Sequence, residues 1–279
     1  MLRKNISVMN MESEIIRAEL YYRNAIKNAP VIIICHGFKG FKNWAFFPIL
    51  AESLAQADYV ALTFNFSRNG VGPDLQNFTE LEKFEKNTYS HELEDLKCVI
   101  DAIANGNIGK GLIDPEKIGL IGHSRGGGIA LLHTQNDSRV KSLVTWSAIA
   151  TVERYTDDQI QSWNRQKYLE FENKRTGQMM RVGIDLYEDI QKNKKQLDIQ
   201  RAAENIETPT LLIHGQEDES VPKEEAQLIY DHLASTNKEL IIIEGGTHTF
   251  GAHHPMASMP VELQTVFDLT ENWFDRFLR

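Results

Sequence analysis

Three reactive side chains stand just past apolar runs, in the chain order hydroxyl, carboxylate, imidazole. Ser124 is the centre of Gly122-His123-Ser124-Arg125-Gly126, which follows the run Ile118 to Ile121. Asp218 follows Thr210 to His214, within Gly215-Gln216-Glu217-Asp218-Glu219. His248 follows Glu239 to Ile243, within Glu244-Gly245-Gly246-Thr247-His248. A serine hydroxyl is a weak nucleophile until a neighbouring base takes its proton. Imidazole suits that task near neutral pH, and a carboxylate holds it in the right tautomer and stabilises its protonated form. The three residue types supply nucleophilic catalysis if the fold brings them together. Each of the last two has rivals: Glu217 and Glu219 flank Asp218, while His253 and His254 follow His248.

The serine has the most informative setting. Ile118 to Ile121 reads as a buried strand, and Gly127 to His133 continues as a helix of small and apolar residues. A strand, a tight turn and a helix place a serine hydroxyl out of the sheet at the positive end of a helix. Gly122 and Gly126 flank the turn because side chains there would meet the neighbouring strand and helix. A glycine-rich turn can also cradle a phosphate, but no Lys-Ser or Lys-Thr follows these glycines.

The other candidate groups read as structural. His36 and His123 are expected to be neighbours of the site rather than chemical agents. His91-Glu92 begins like a zinc-binding helix, yet Asp95 stands where the second histidine belongs, so no metal and no cofactor is implied. Cys35 lies inside an apolar run, a poor setting for a reactive thiolate. With Cys98 it reads as one of two buried free thiols rather than part of a disulfide framework.

A chain of 279 residues accommodates one large α/β domain or a domain with an insertion. Hydrophobic residues at 42% and charged residues at 25% disfavour disordered and membrane classes. No apolar run approaches a membrane span, and Met1 to Asn5 lacks the apolar stretch of a signal peptide, so a cytoplasmic protein is expected. The formal charge of −9 argues against a nucleic-acid partner, which needs a basic face. The pattern specifies no oligomeric state.

The elements that must position these side chains follow in order. Lys4 to Asn10 and Ser13 to Tyr22 read as an edge hairpin, and Val31 to Cys35 as a strand buried on both faces. Helices are expected near Trp44 to Ala57 and Tyr89 to Ala104, with a strand at Tyr59 to Phe66 and a polar loop after it. Val140 to Trp146 is a further strand. After Thr210 to His214 come a helix from Lys223 to Ala234, the strand Glu239 to Ile243 and a last helix from Val261 to Leu278. Such alternation means a mostly parallel sheet with helices on both faces, in which ligands meet the carboxyl ends of the strands.

Between Ala148 and Ile206 the character changes to polar and helical, without buried β-branched runs. Its ten basic and ten acidic side chains cancel, so the −9 falls on the rest of the chain. This stretch reads as a helical cap over the catalytic rim, residues 148–206 inserted into a core of residues 1–147 and 207–279. A connection of this length exceeds an ordinary loop and needs a surface to cover. Trp163, Tyr168 and Met179 are its candidate pocket contacts, beside Trp44 and Phe38 of the core.

Four blocks together resemble the α/β-hydrolase fold superfamily, in particular its dienelactone-hydrolase-like and cinnamoyl-esterase-like members. They are His36-Gly37-Phe38, the Gly122 to Gly126 turn, His214-Gly215-x-x-Asp218-x-x-Val221-Pro222, and Gly246-Thr247-His248. The resemblance covers nearly everything outside the insertion. It implies Ser124 as nucleophile, His248 as base and Asp218 as its carboxylate, because only Asp218 has the family spacing to Val221-Pro222. It also implies an oxyanion hole from the backbone N–H groups of Phe38 and Arg125. The expected reaction is hydrolysis of a small-molecule carboxylic ester through an acyl-serine intermediate, in a rate that rises with pH as a histidine base loses its proton. A peptidase, amidase or acyltransferase uses the same machinery. A binding protein that has lost catalysis would show a broken set of residues, and this set is complete.

Overall fold

The structure, a computed structural model, describes residues 1–173 and 176–279. Strands β1 (Leu2–Met9) and β2 (Ile15–Tyr22) form an antiparallel hairpin, followed by β3 (Ala29–Cys35), α1 (Phe47–Gln56) and β4 (Val60–Phe64). Next come α2 (Leu81–Glu85), α3 (Tyr89–Ala104), β5 (Ile113–His123), α4 (Arg125–Thr134) and β6 (Val140–Trp146). The inserted segment holds α5 (Asp157–Gln166), β7 (Tyr168–Asn173), β8 (Gln178–Gly183), α6 (Ile184–Lys192) and α7 (Ile199–Ala203). Strand β9 (Thr210–Gly215), α8 (Lys223–His232), β10 (Lys238–Ile243) and α9 (Val261–Phe277) complete the chain.

Eight strands make one sheet in the order β1-β2-β4-β3-β5-β6-β9-β10. The hairpin strands pair antiparallel and every pairing from β4 to β10 is parallel. Alternate side chains of β3 explain its unbroken apolar run. Val31 and Ile33 join a core with Leu96, Ile100 and Ile129 of α3 and α4 on one face. Ile32 and Ile34 join Leu50 of α1 and Phe274 of α9 on the other. Among the described residues no helix is long and apolar enough to cross a membrane.

The inserted segment differs from its expected helical character. Strands β7 and β8 form an antiparallel hairpin, paired from Tyr168↔Gly183 to Asn173↔Gln178. Apolar side chains alternate with glutamates in Leu169-Glu170-Phe171-Glu172, which is the period of a strand and not of a helix. The polar loop after β4 also carries more order than expected, with α2 and a bridge between Val71 and Phe78. Short elements of this kind are specified by what they pack on: Gln178 donates from Nε2 to the Phe78 carbonyl oxygen, so hairpin and loop hold each other.

One buried carboxylate ties three distant segments to the sheet edge. Asp95 on α3 accepts from Asn10 Nδ2 at 2.8 Å and from the Ser67 amide at 2.7 Å. Asn10 in turn accepts from the amides of Glu12 and Glu14 in the β1–β2 turn. Burial pushes the Asp95 carboxyl up to about 6, against the hydrogen bonds from Asn10 and Ser67, which favour the ionised form. A carboxyl raised in the folded state contributes most below its unfolded value and loses that contribution as pH rises through about 6. The melting-temperature gap between wild type and Asp95→Asn should therefore move in favour of wild type as pH is lowered from about 7.5 to about 5. A gap that stays flat over that range would refute the linkage, since other titrating groups cancel in the comparison.

Candidate active site

Ser124 sits between the last residue of β5 and the first of α4 with φ 57° and ψ −121°, in the left-handed half of backbone space. A non-glycine residue held there costs on the order of 1–3 kcal/mol. The surroundings impose it. A Cβ on Gly122 would stand 2.4 Å from the Gly126 carbonyl oxygen, and one on Gly126 would stand 2.5 Å from that of His36. Strand, turn and helix thus touch backbone to backbone, which only glycine permits. The Ser124 amide donates to the Trp146 carbonyl oxygen at 2.8 Å, locking the turn to the end of β6.

The three sequence-predicted side chains meet. His248 Nε2 lies 3.0 Å from Ser124 Oγ, and His248 Nδ1 lies 2.8 Å from Asp218 Oδ2. The other carboxylate oxygen of Asp218 accepts from the amides of Ser220 and Val221, both at 2.9 Å. Burial pushes the Asp218 carboxyl up, but hydrogen bonds from His214, His248 and Val221 outweigh it and hold it well below the usual carboxylate range. His214 Nε2 lies 2.8 Å from the Val221 carbonyl oxygen and 3.3 Å from Asp218 Oδ2, so the turn is held by a fully buried imidazole. The rivals lie elsewhere: Glu217 and Glu219 are exposed, and His254 Nδ1 accepts from the Ala45 amide at 2.8 Å with its ring stacked on Trp44. His253 is exposed.

His36 and His123 serve the backbone. His123 Nε2 donates to the His248 carbonyl oxygen at 2.9 Å, and burial together with the neighbouring His248 lowers the His123 imidazole to about 3, so it stays neutral. His36 is likewise lowered by burial to about 4; its Nδ1 donates to the Gly37 carbonyl oxygen and its Nε2 accepts from the Phe66 amide. The Gly40 amide donates to the same Gly37 oxygen, closing the loop that carries Phe38. Among the described residues the amides of Phe38 and Arg125 have no hydrogen-bond partner. The first N–H groups of a helix are free to face a ligand, and Arg125 opens α4.

Two cavities meet at Ser124 and His248. One of about 220 Å³ is bounded by Trp44, Phe47, Phe38 and Asn173. The other, of about 400 Å³, is bounded by Tyr89, Arg125, Arg154 and Tyr155. The inserted segment reaches both, through Asn173 in one and Arg154 and Tyr155 in the other. Its anticipated contacts do something different. Trp163 is fully buried and lines neither cavity; it packs edge-on against Tyr155, stacks on Tyr187 and donates from Nε1 to the Val182 carbonyl oxygen. Met179 is half exposed, and Tyr168 packs under the Arg181 guanidinium. A large aromatic in a polar stretch must first be buried in that stretch, and Trp163 meets that demand without the site. Sequence reasoning missed the ion pair of Arg125 with Glu92 on α3, 2.8 Å and buried at both ends. Its only sequence trace is the glutamate already noted beside His91.

A sequence model of the prolyl oligopeptidase family matches residues 45–276. The chain belongs to that family. Membership of the prolyl oligopeptidase family makes this protein a serine hydrolase of the α/β-hydrolase superfamily, as the four blocks imply. An uncharacterised 31.7 kDa protein of Escherichia coli, from the traX-finO intergenic region, is 26% identical over 242 residues, covering 76% of this chain and 80% of that protein. Among solved structures, Est1E from Butyrivibrio proteoclasticus with bound ferulic acid is similar with a TM-score of 0.75 and 19% identity, over 96% of this chain and 98% of that one. A dienelactone hydrolase from Anabaena variabilis gives 0.65 and 18%, over 100% and 99%. These structures share the fold.

In this member of the prolyl oligopeptidase family, the close approach at the turn is open to test. Gly126→Ala puts a methyl group against the carbonyls of Cys35 and His36, and should cost on the order of 1–3 kcal/mol or more in urea unfolding. A loss under about 0.5 kcal/mol would show that strand and helix have room to part.

Proposed function

We propose that the protein hydrolyses carboxylic esters through an acyl-serine intermediate. The observation that carries this reading is the continuous hydrogen-bond chain Asp218–His248–Ser124, at 2.8 and 3.0 Å, opening on both cavities. Ser124 Oγ attacks the ester carbonyl carbon while His248 Nε2 takes its proton. Asp218 holds the imidazole and offsets the positive charge it gains. The amides of Phe38 and Arg125 receive the oxyanion, each such donor being worth roughly a hundredfold or more in rate. His248 then returns the proton to the departing alcohol, and water repeats the sequence on the acyl-enzyme. The inserted residues 148–206 act as a cap, supported by the reach of Asn173, Arg154 and Tyr155 into the two cavities. The unpaired thiols of Cys35 and Cys98 support a cytoplasmic setting.

The family favours a second reading, cleavage of a peptide bond, which the same residues perform on a poorer leaving group. One feature weighs against an exopeptidase that grips a free amino terminus. Among the described residues no aspartate or glutamate lines either cavity, so a substrate ammonium finds no carboxylate there.

Para-nitrophenyl esters of graded acyl length, run beside aminoacyl amides, separate the readings: ester turnover should exceed amide turnover. Ser124→Ala should lose roughly a thousandfold or more and lose fluorophosphonate labelling, and adding Asp218→Ala or His248→Ala to it should change little further. Near-normal turnover by Ser124→Ala refutes the mechanism. Faster cleavage of amides than of esters selects the peptidase.

A further inference from the structure

The two cavities at Ser124 are chemically unlike. The smaller presents aromatic walls from Trp44, Phe47 and Phe38. The charged side chains that line the larger are Lys39, Arg125 and Arg154, and no aspartate or glutamate of the described residues lines it. This is a cationic wall on a chain whose net charge is −9.

The counter-ions stand behind that wall rather than in it. Glu92 receives Arg125 Nε at 2.8 Å, and Glu225 receives Arg154 Nη1 at 2.6 Å and the Ala150 amide. Arg125 is 95% buried, yet its Nη2 has no hydrogen-bond partner. The Tyr89 ring covers the guanidinium at 3.9 Å, and neither the Tyr89 nor the Tyr155 hydroxyl has a hydrogen-bond partner among the described residues. Burial raises both phenols above their ordinary range, so both remain protonated donors. One guanidinium N–H and two phenol O–H groups around the cavity thus lack an acceptor among the described residues, while each arginine keeps its glutamate. A buried donor such as Arg125 Nη2 is ordinarily satisfied, and a carboxylate supplies acceptor lone pairs and charge together to it and to the phenols.

We propose that this cavity is a subsite for a carboxylate carried on one arm of the substrate, with Arg125, Arg154, Tyr89 and Tyr155 as its recognition groups. The preferred substrates are then monoesters that bear a free carboxylate, their other arm lying against Trp44 and Phe47. This deepens the ester-hydrolase reading and rests on Ser124 being its nucleophile.

Matched pairs of esters test it arm by arm. On the acyl arm, mono-para-nitrophenyl glutarate is compared with para-nitrophenyl pentanoate; on the alcohol arm, para-acetoxybenzoate with para-acetoxybenzamide. The wild type should favour the anionic member of one pair by about tenfold or more in kcat/KM. Arg154→Met should cut that ratio several-fold. The double variant Arg125→Met, Glu92→Met, which leaves neither charge buried alone, should do the same. Because the ratio is taken within each variant, a disturbed oxyanion site cancels from it. Should the double variant fail to fold, Arg154→Met still decides. A wild type with no anionic preference on either arm overturns the subsite, as does a preference that both variants retain. If Ser124 labels with fluorophosphonate and neutral esters turn over without an anionic preference, the subsite alone is refuted. If Ser124 does not label and no ester turns over, the hydrolase reading falls and takes the subsite with it.

Discussion

The contact on which the structure depends is backbone against backbone at the turn around Ser124. The carbonyls of Cys35 at the end of β3 and of His36 just past it, and of Gly126 on the helix, come close enough that no Cβ fits at Gly122 or Gly126. Three consequences follow from that single crossing. Ser124 is forced to φ 57°, so its side chain leaves the sheet. The α4 N-terminus is brought beside the His36–Gly40 loop, so the Arg125 and Phe38 amides share one locale. The end of β6 is captured through the Trp146 carbonyl, which starts the inserted segment on the same rim. Strain of about 1–3 kcal/mol persists at one residue only because the packing around it is over-determined.

How much of this is legible in the sequence depends on whether a residue's partner lies nearby in the chain or across the fold. The β-branched run of β3, the glycines around Ser124 and the apolar stripe of α9 state their own structure, because sheet burial and helix periodicity are local signals. The meeting of Ser124, Asp218 and His248 is legible for the same reason: each follows a strand, and a parallel sheet brings strand ends to one edge. The β7–β8 hairpin is written in the alternation of Leu169 to Glu172, but four residues of alternation within a polar stretch compete poorly with helical propensity on either side. Helix α2 has no such local signature; it is held by Phe84, which is buried against Phe38, Phe78 and Phe171 from three other segments.

Histidines show the limit most clearly. Nine occur in the chain, and four of them cluster within or beside the site. His36, His123 and His214 look as suitable for acid–base work as His248 when only residue type is known. Burial separates them. His36 and His123 are driven to the neutral form and spend their ring nitrogens on backbone groups, while His214 is enclosed against Val221 and Asp218. His248 alone of the four has one nitrogen on a carboxylate and the other on a hydroxyl. What distinguishes His248 from its neighbours in the structure is what each nitrogen faces.

Arg125 joins the parts that spacing treats separately. Its amide opens α4 next to Ser124, while its side chain turns back to Glu92 in the first turn of α3. That same helix end is tied to the inserted segment, since the Ser90 amide and hydroxyl both donate to Asp189 on α6. A buried ion pair is weak evidence for stability, because desolvating two charges offsets most of their attraction. An apolar pair of similar volume would fill the space between α3 and α4 as well. The pair does what an apolar contact cannot: it fixes a guanidinium at the wall of one cavity and not the other. The two cavities therefore present different chemistry on either side of one hydroxyl, aromatic toward Trp44 and cationic toward Arg154.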